Sequence, residues 1–420
     1  MIRILEITNH RDVKQIMQDI GVDPYGIGIM QPKVMHYLIG ANSISNIAAN
    51  ILKQEMLSLG GEVAVAREAL TGKIKKTDCL LMGNLSQFNR LNKKLNKQPF
   101  GLDKLAQDLC LTLKNYQRDN FILDLGRYKL NLGSRIHIMG IVNLTPDSFS
   151  GDGLYQGLSP SKLKGTILKR TVPELVEKMV DDGADIIDVG GESSKPGAKP
   201  VSIKEELART IPVIKLLIKR IKVPISIDTH KPEVARLALD NGAMIVNDIT
   251  ALRDPKMARL VAGYKAGLVI MHMKGSPRTM QKNPQYVSLL DEIMEFLQKA
   301  INRAQESGID KEKIIIDPGI GFGKTCGHNL EILKRLSEFK VLGRPILIGP
   351  SRKSFIGKIL TQQGRLSHPL RKGLNAGPQE RIFGTVSACV LAAKNGARVV
   401  RVHDVRAVKQ ALKIFEATNG

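Results

Sequence analysis

The sequence contains no tryptophan, and aromatic residues make up only 4% of its 420 positions. Proteins that grip single-stranded nucleic acid stack bases on aromatic rings. The scarcity therefore speaks against such a partner, although the formal net charge is +23. The basic residues are spread over many segments and form no single arm, a pattern that suits anionic small substrates or solubility. Cysteine is also scarce. Cys79, Cys110, Cys326 and Cys389 include no C-x-x-C pair, which argues against a zinc motif and a disulfide framework and points to a reducing cytoplasm. No apolar run approaches the ~20 residues of a membrane span. No small-residue cleavage site follows Met1-Ile-Arg-Ile-Leu-Glu, so neither a membrane partner nor a secretory signal is expected.

What is present has a globular composition, 43% hydrophobic and 25% charged. The chain is too long for one ordinary core, so one large and one small domain are expected. Residues 1–117 read as a small α/β accessory domain of unknown role. Residues 2–7 have strand character. Ile44, Ile47, Ala48, Ile51, Leu52, Met56 and Leu59 form a helical stripe over 43–59, with Ser43 as cap and Gly60-Gly61 as stop. Residues 62–65 and 79–82 look like strands, and 102–113 like a helix. No catalytic cluster stands out there. Residues 114–120 read as a polar linker. Residues 121–132 alternate apolar and polar around Gly126-Arg127, the pattern of a hairpin, which could plug the bottom of the following domain.

From residue 136 onward apolar strands and amphipathic segments alternate. The strands are expected at 136–142, 185–189, 223–227, 244–246, 267–271, 313–316, 345–348 and 399–402. Between them lie helical patterns at 173–182, 204–219, 231–240, 255–262, 287–306, 328–338 and 379–394, with a last at 405–416. Eight such units predict a (β/α)8 TIM barrel over 121–418. A doubly wound sheet usually shows a glycine-rich turn after its first strand, and Asn143-Leu-Thr-Pro is not one.

In a barrel every strand C-terminus opens on one face. The eight ends carry Asn143, Thr145, Asp147 and Ser148; Glu192, Ser193, Ser194 and Lys195; Asp228, Thr229 and His230; Asn247 and Asp248; His272 and Lys274; Asp317 and Lys324; Ser351, Arg352, Lys353 and Ser354; and Arg401, His403 and Asp404. Singly, each has a bland explanation. An Asp after a strand is often a helix cap, Gly319, Gly321 and Gly323 suit a plain turn, and His230 and His272 suit structural roles. Together they are costly to bury unless they serve a site. Asp228, Asn247, Asp317 and Lys353 offer the donors and acceptors that a flat polar heterocycle needs. Asn143, Arg401 and His403 suit phosphate oxygens and a Mg²⁺ ion that leans on them. The loops 143–158 and 190–200 could close over both and exclude water.

Seven segments, in order, carry a family resemblance: Met139-Gly-Ile-Val-Asn-Leu-Thr-Pro-Asp-Ser-Phe-Ser, Gly190-Gly-Glu-Ser-Ser-Lys-Pro-Gly-Ala, Ile225-Ser-Ile-Asp-Thr, Val246-Asn-Asp-Ile, Ile316-Asp-Pro-Gly-Ile-Gly-Phe-Gly-Lys, Ser351-Arg-Lys-Ser-Phe-Ile-Gly and Arg401-Val-His-Asp-Val. Residues 121–418 resemble the dihydropteroate synthases. That resemblance implies a transferase of folate biosynthesis. It would join 6-hydroxymethyl-7,8-dihydropterin diphosphate to 4-aminobenzoate, releasing pyrophosphate, with Mg²⁺ and as a homodimer. It implies that Ser194, Asp228, Asn247, Asp317 and Lys353 bind pterin, and that Asp228, Asp317 and Lys353 carry the chemistry. Asn143, Arg401 and His403 would hold the diphosphate, Asn143 also the metal. Phe149, Pro196, Phe322, Lys353 and Ser354 would form the aminobenzoate pocket. Residues 1–117 lie outside the resemblance.

Several positions depart from that family's pattern. Gly151-Asp152 inverts the usual order of acid and glycine. Ser194-Lys195 replaces Thr-Arg, which keeps the charge and loses the guanidinium fork. His230 stands where Tyr is frequent, and 361–378 form a long basic stretch after the seventh strand. The alternatives are a pterin-binding methyltransferase of the methyltetrahydrofolate:corrinoid type and a non-catalytic binding protein. The first needs no diphosphate site, and the second predicts no turnover.

Overall fold

The computed structural model describes residues 1–5, 7, 10–145, 166–195, 197–361 and 377–419. Phe149, Pro196, Gly151-Asp152 and most of 361–378 lie outside the described residues. The chain divides into two compact units, Met1–Lys114 and Asn115–Gly420.

The first unit is built on a three-stranded antiparallel sheet: β1 (His36–Ser45), β2 (Glu62–Val65) and β3 (Lys76–Asn84), in the order β1-β3-β2. The helices Asn46–Leu57, Leu85–Leu95 and Leu102–Gln117 bury Leu52, Met56, Phe88, Leu91, Leu95, Leu102 and Leu109 in one core with Val63, Cys79 and Leu81. Residues 1–5 and 7 form no strand, and Ile2 and Ile4 are fully exposed. The first strand is instead β1. It packs Tyr37, Ile39, Ala41 and Ile44 on the core side, and its register shifts between Ala41 and Ile44, where Ser43 has φ 58°. Ser43 therefore lies in the strand. Ser45 caps the helix, accepting from the Ala48 N–H at 3.3 Å. The polar stretch 114–120 is helical up to Gln117, so only its end is a linker.

In the second unit β4 (Ile122–Asp124) and β5 (Lys129–Asn131) make the expected antiparallel hairpin. Gly126 sits at φ 77° and donates its N–H to the Asp124 carboxylate at 2.8 Å. Eight parallel strands then close a barrel: β6 (His137–Asn143), β7 (Ile186–Gly190), β8 (Ile225–Asp228), β9 (Ile245–Asp248), β10 (Gly267–Met271), β11 (Ile314–Asp317), β12 (Ile346–Ile348) and β13 (Ala397–Val402), with β13 pairing β6 and β9 pairing β10. Helices wrap the outside. One of them, Ser354–Thr361, directly after Lys353, has no counterpart in the sequence periodicity.

Side chains alternate along a strand, and this places the site. Met139, Ile186, Ile245, Val269, Ile315, Leu347 and Val399 form a fully buried layer at the N-terminal end of the barrel. Phe121, Leu123 and Leu132 of the hairpin segment pack beneath that layer and plug it. Two residues further along the same strands stand Ile141, Asp188, Asn247, Met271, Asp317, Gly349 and Arg401. The barrel is thus apolar at its floor and polar one step above. Leu123→Ala removes a side chain only 1% exposed. It is expected to cost about 2–4 kcal/mol, read from urea denaturation of the full chain.

Candidate active site

The polar step is organised by one cation. Arg401, at the end of β13, donates from Nε to Asp188 Oδ2 and from Nη2 to Asp228 Oδ2, both at 2.6 Å. Asn247 donates from Nδ2 to the same Asp188 oxygen at 3.0 Å. Asp188 is 0% exposed. Burial pushes the Asp228 carboxyl up to about 7, opposed by Arg401 and reinforced by Asp188 and Glu206. Burial also works against the Arg401 charge, but the two carboxylates outweigh it and hold the guanidinium protonated.

Asp317 ends β11, and its carboxylate accepts the Gly319 N–H at 2.7 Å. The Gly319 turn is open only to glycine. Its φ is 73°, and a Cβ would stand 1.9 Å from the His272 carbonyl oxygen. A Cβ at Gly321, φ 81°, would press on Lys353 Cδ at 3.0 Å. This turn is a bed for Lys353, whose ammonium lies 4.1 Å from the centre of the Phe322 ring, a cation–π contact. Phe322 belongs to a buried apolar wall with Ile249, Met271, Met273 and Met280.

Beside this lies a second group. Ser351 Oγ accepts the backbone N–H of His403 at 3.2 Å and meets its Nδ1 at 3.0 Å. His403 Nε2 is 3.5 Å from the Asn143 side-chain amide. Burial, with Arg352, Arg401, Lys195 and Lys353 nearby, drives the His403 pKa well down, so the ring is neutral at pH 7. The Asn143 atom that faces Nε2 is Nδ2, which can only donate, so Nε2 is the acceptor and Nδ1 carries the hydrogen, donated to Ser351 Oγ.

Asp228, Asn247, Arg401, Asn143, His403, Lys353 and Phe322 are thus joined into small contact groups at the strand ends. Ser194 lies half-buried beyond β7, and Ser354 is exposed as the first residue of its helix. Other polar strand ends are structural. Arg352 turns to Asp404, at 2.9 and 2.6 Å. Asp248 holds the turn at Thr250 and Leu252. His272 accepts from the buried Lys324 ammonium at 2.9 Å, while burial and the cations Lys324 and Lys274 lower its pKa to about 2. Lys231 ties Glu192 to Glu206 behind the second loop. Asp188 belongs to none of the strand-end motifs because it sits inside an apolar strand. A charged residue there, two places after a core position, is itself a signal, since a buried charge needs a partner.

Burial raises Asp317 to about 6, against the Gly319 N–H and the cations Lys353, Lys324 and Arg401. Burial and Arg401 lower Lys353 to about 8, against Asp317 and Asp228. If ionised Asp317 and Asp228 and charged Lys353 are all needed, kcat/KM will be bell-shaped, with its acid side set between about pH 6 and about pH 7 and an alkaline limb near pH 8. The same shifts act on stability with a determinate sign. The Asp317 contribution is present below its unfolded value of 3.8 and lost as pH rises through about 6. The Lys353 contribution is gained as pH rises from about 8 toward 10.5. The unliganded site weakens the fold most in the range where it is to work. A pH-rate profile beside a pH series of denaturation midpoints checks both expectations.

The pterin binding enzyme family model matches residues 139–403. A dihydropteroate synthase of Synechocystis is 44% identical over 296 residues, 70% of this chain and 94% of the relative. A probable bifunctional folylpolyglutamate synthase/dihydropteroate synthase of Halobacterium salinarum is 36% identical over 411 residues, covering 97% of this chain and 46% of that protein. The dihydropteroate synthase structure from Xanthomonas albilineans with 4-aminobenzoic acid superposes with a TM-score of 0.61 at 38% identity, covering 72% of this chain and 99% of that one. The chain belongs to the pterin-binding enzyme family. The Halobacterium match also gives the first unit a counterpart, which its own motifs did not.

Proposed function

We infer that the chain is a dihydropteroate synthase, a transferase of folate biosynthesis that condenses 6-hydroxymethyl-7,8-dihydropterin diphosphate with 4-aminobenzoate. The observation that carries this reading is the pairing of two chemistries at one barrel mouth. The acceptor-rich group of Asp228, Asn247 and Asp317, with Lys353, stands next to the Asn143–His403–Ser351 group. The second group has no task in a corrinoid methyltransferase, which binds no diphosphate.

Asp228, Asn247, Asp317 and Lys353 hold the pterin ring, with Ser194 toward its diphosphate end. Arg401 gives its Nε–H and one N–H of Nη2 to carboxylates, so its phosphate contact falls to Nη1 and the second N–H of Nη2. Neutral His403 lines the diphosphate site and holds the Asn143 amide there, accepting from its Nδ2 at Nε2. Phe322, Lys353 and Ser354 form the described part of the aminobenzoate pocket, completed by Phe149 and Pro196. As the C–O bond at the pterin methylene breaks, the leaving pyrophosphate gains negative charge that Arg401 stabilises. The positive charge left on the methylene and ring is stabilised by Asp228 and Asp317. The aromatic amine then forms the C–N bond and loses its proton.

Among the described residues no group of three His, Cys, Asp or Glu is placed to hold a metal. A single amide oxygen, from Asn143, with oxygens of the substrate diphosphate fits Mg²⁺, which keeps most of its waters and binds through phosphates. When bound, Mg²⁺ would supply positive charge to the leaving diphosphate. No helix among the described residues is long and apolar enough to cross a membrane. The free cysteines favour a reducing cytoplasm, and we expect a homodimer, to be read by light scattering.

The test is a reaction of purified protein with pterin diphosphate, 4-aminobenzoate and Mg²⁺, with the product identified by mass. Dihydropteroate with equimolar pyrophosphate is the expected result. Absence of both from a well-folded preparation overturns the reading.

A further inference from the structure

We propose that Asp188 is the positioning residue of this site, setting which face Asn247 and Arg401 turn to the pterin. The proposal rests on the functional reading above. Asp188 lies on β7, one inward step below Gly190, and is wholly buried. A Cβ at Gly190 would lie 3.5 Å from Asp228 Cβ and 3.6 Å from Asn143 Oδ1, so Gly190 is the step at the mouth. Asp188 belongs to the layer under it.

Its chemistry constrains both neighbours. An ionised carboxylate only accepts hydrogen bonds. The Asn247 group that meets Asp188 Oδ2 at 3.0 Å must therefore be the amide nitrogen. That turns the Asn247 carbonyl oxygen away from Asp188. We take this as the acceptor offered to an N–H of the heterocycle. An isolated asparagine could present either end of its amide. Asp188 removes the choice.

Arg401 is fixed by the same oxygen. Its planar guanidinium places Nε on Asp188 and Nη2 on Asp228, each at 2.6 Å. Two contacts to two strands set the plane of the fork and the direction of the remaining nitrogen. The convergence of an amide and a guanidinium on one oxygen calls for a full negative charge. A neutral amide at 188 would accept more weakly, and it could also turn its own N–H toward either donor.

The experiment compares Asp188→Asn with the charge-conserving Asp188→Glu in the full-length chain. It reads the KM of each substrate and, by titration calorimetry, the Kd of 6-hydroxymethylpterin. In Asp188→Asn the pterin diphosphate KM and the pterin Kd should rise at least tenfold, and the 4-aminobenzoate KM should stay within twofold. Asp188→Glu keeps a carboxylate to which Asn247 and Arg401 can both donate, so its pterin Kd should be at least threefold tighter than that of Asp188→Asn. A carboxylate that only supports the fold would leave the pterin Kd of every folded variant unchanged.

An unchanged pterin Kd in folded Asp188→Asn, or a folded Asp188→Glu that binds no tighter than Asp188→Asn, overturns the proposal. If Asp188→Asn does not fold, a folded Asp188→Glu with a pterin Kd more than tenfold weakened overturns it equally. Wild-type turnover in the same preparation tests the functional reading on its own. A wild type without turnover whose variants still move the pterin Kd as stated would sink the reaction and keep the role of Asp188.

Discussion

Arg401→Ala is expected to abolish detectable turnover and to cost about 3–5 kcal/mol of stability, because it leaves buried charge without compensation. The Arg401 side chain is 18% exposed, while those of Asp188 and Asp228 are 0% and 10% exposed. Removing the guanidinium therefore leaves two carboxylates facing each other out of water. One of them must take up a proton or admit solvent. The rate falls for a separate reason. The leaving pyrophosphate loses a fixed cation, and Asp228 and Asn247 lose the frame that orients them. Arg401→Lys separates the two effects. It keeps the charge and loses the fork, so it should recover part of the stability and little of the rate. Urea denaturation beside the product assay reads both. An alanine variant as stable as the wild type would contradict the ion-pair arrangement described for β7, β8 and β13.

Lys353→Met is expected to lower kcat/KM by about a hundredfold to a thousandfold, or about 3–4 kcal/mol of transition-state stabilisation, with stability within about 1 kcal/mol of the wild type. Methionine keeps the unbranched stem that lies over Gly321 and retains an apolar contact with Phe322. The ammonium itself is held below its ordinary pKa by burial and Arg401. Its loss relieves desolvation while removing an attraction to Asp317 and Asp228, and these effects oppose each other. The functional loss has no such offset, since the proposed role of Lys353 spans the pterin and aminobenzoate pockets. The alkaline limb of the pH profile should vanish with it. A variant that lost stability as steeply as Arg401→Ala would show that Lys353 belongs to the structural ion network instead.

The barrel was legible because a strand buried on both faces has to be written in β-branched and aliphatic residues. Ile-Ile-Asp-Val, Ile-Ser-Ile and Ile-Leu-Ile announce themselves, and the observed strands sit within a few residues of the expected ones. The first unit was harder to read. In β1, Gly40, Asn42 and Ser43 interrupt the alternation, and the core side carries only Tyr37, Ile39, Ala41 and Ile44, so the strand signal is faint. Residues 2–5 show the opposite case, a largely apolar stretch that forms no strand.

The site was legible wherever its residues lie at or just past a strand's C-terminal end, as Asp228, Asn247, Asp317 and Lys353 do. The pairing pattern was not, because it depends on side-chain direction across strands far apart in sequence. Arg401 reads as a phosphate ligand until the barrel closes and brings Asp188, 213 positions earlier, to its Nε. The difference between Arg352, which turns to Asp404, and Lys353, which faces Phe322, likewise rests on local backbone. Arg352 has φ 55°, and adjacent residues there point to opposite sides.

The hairpin beneath the barrel bears on how this enzyme is to be cut and recombined. A fragment beginning at the first barrel strand would expose the undersides of seven core side chains, from Met139 to Val399, to water. Grafts and domain exchanges should therefore carry residues 121–132 with the barrel. The safe seam lies upstream of that hairpin, in 118–120, after the helix that ends at Gln117.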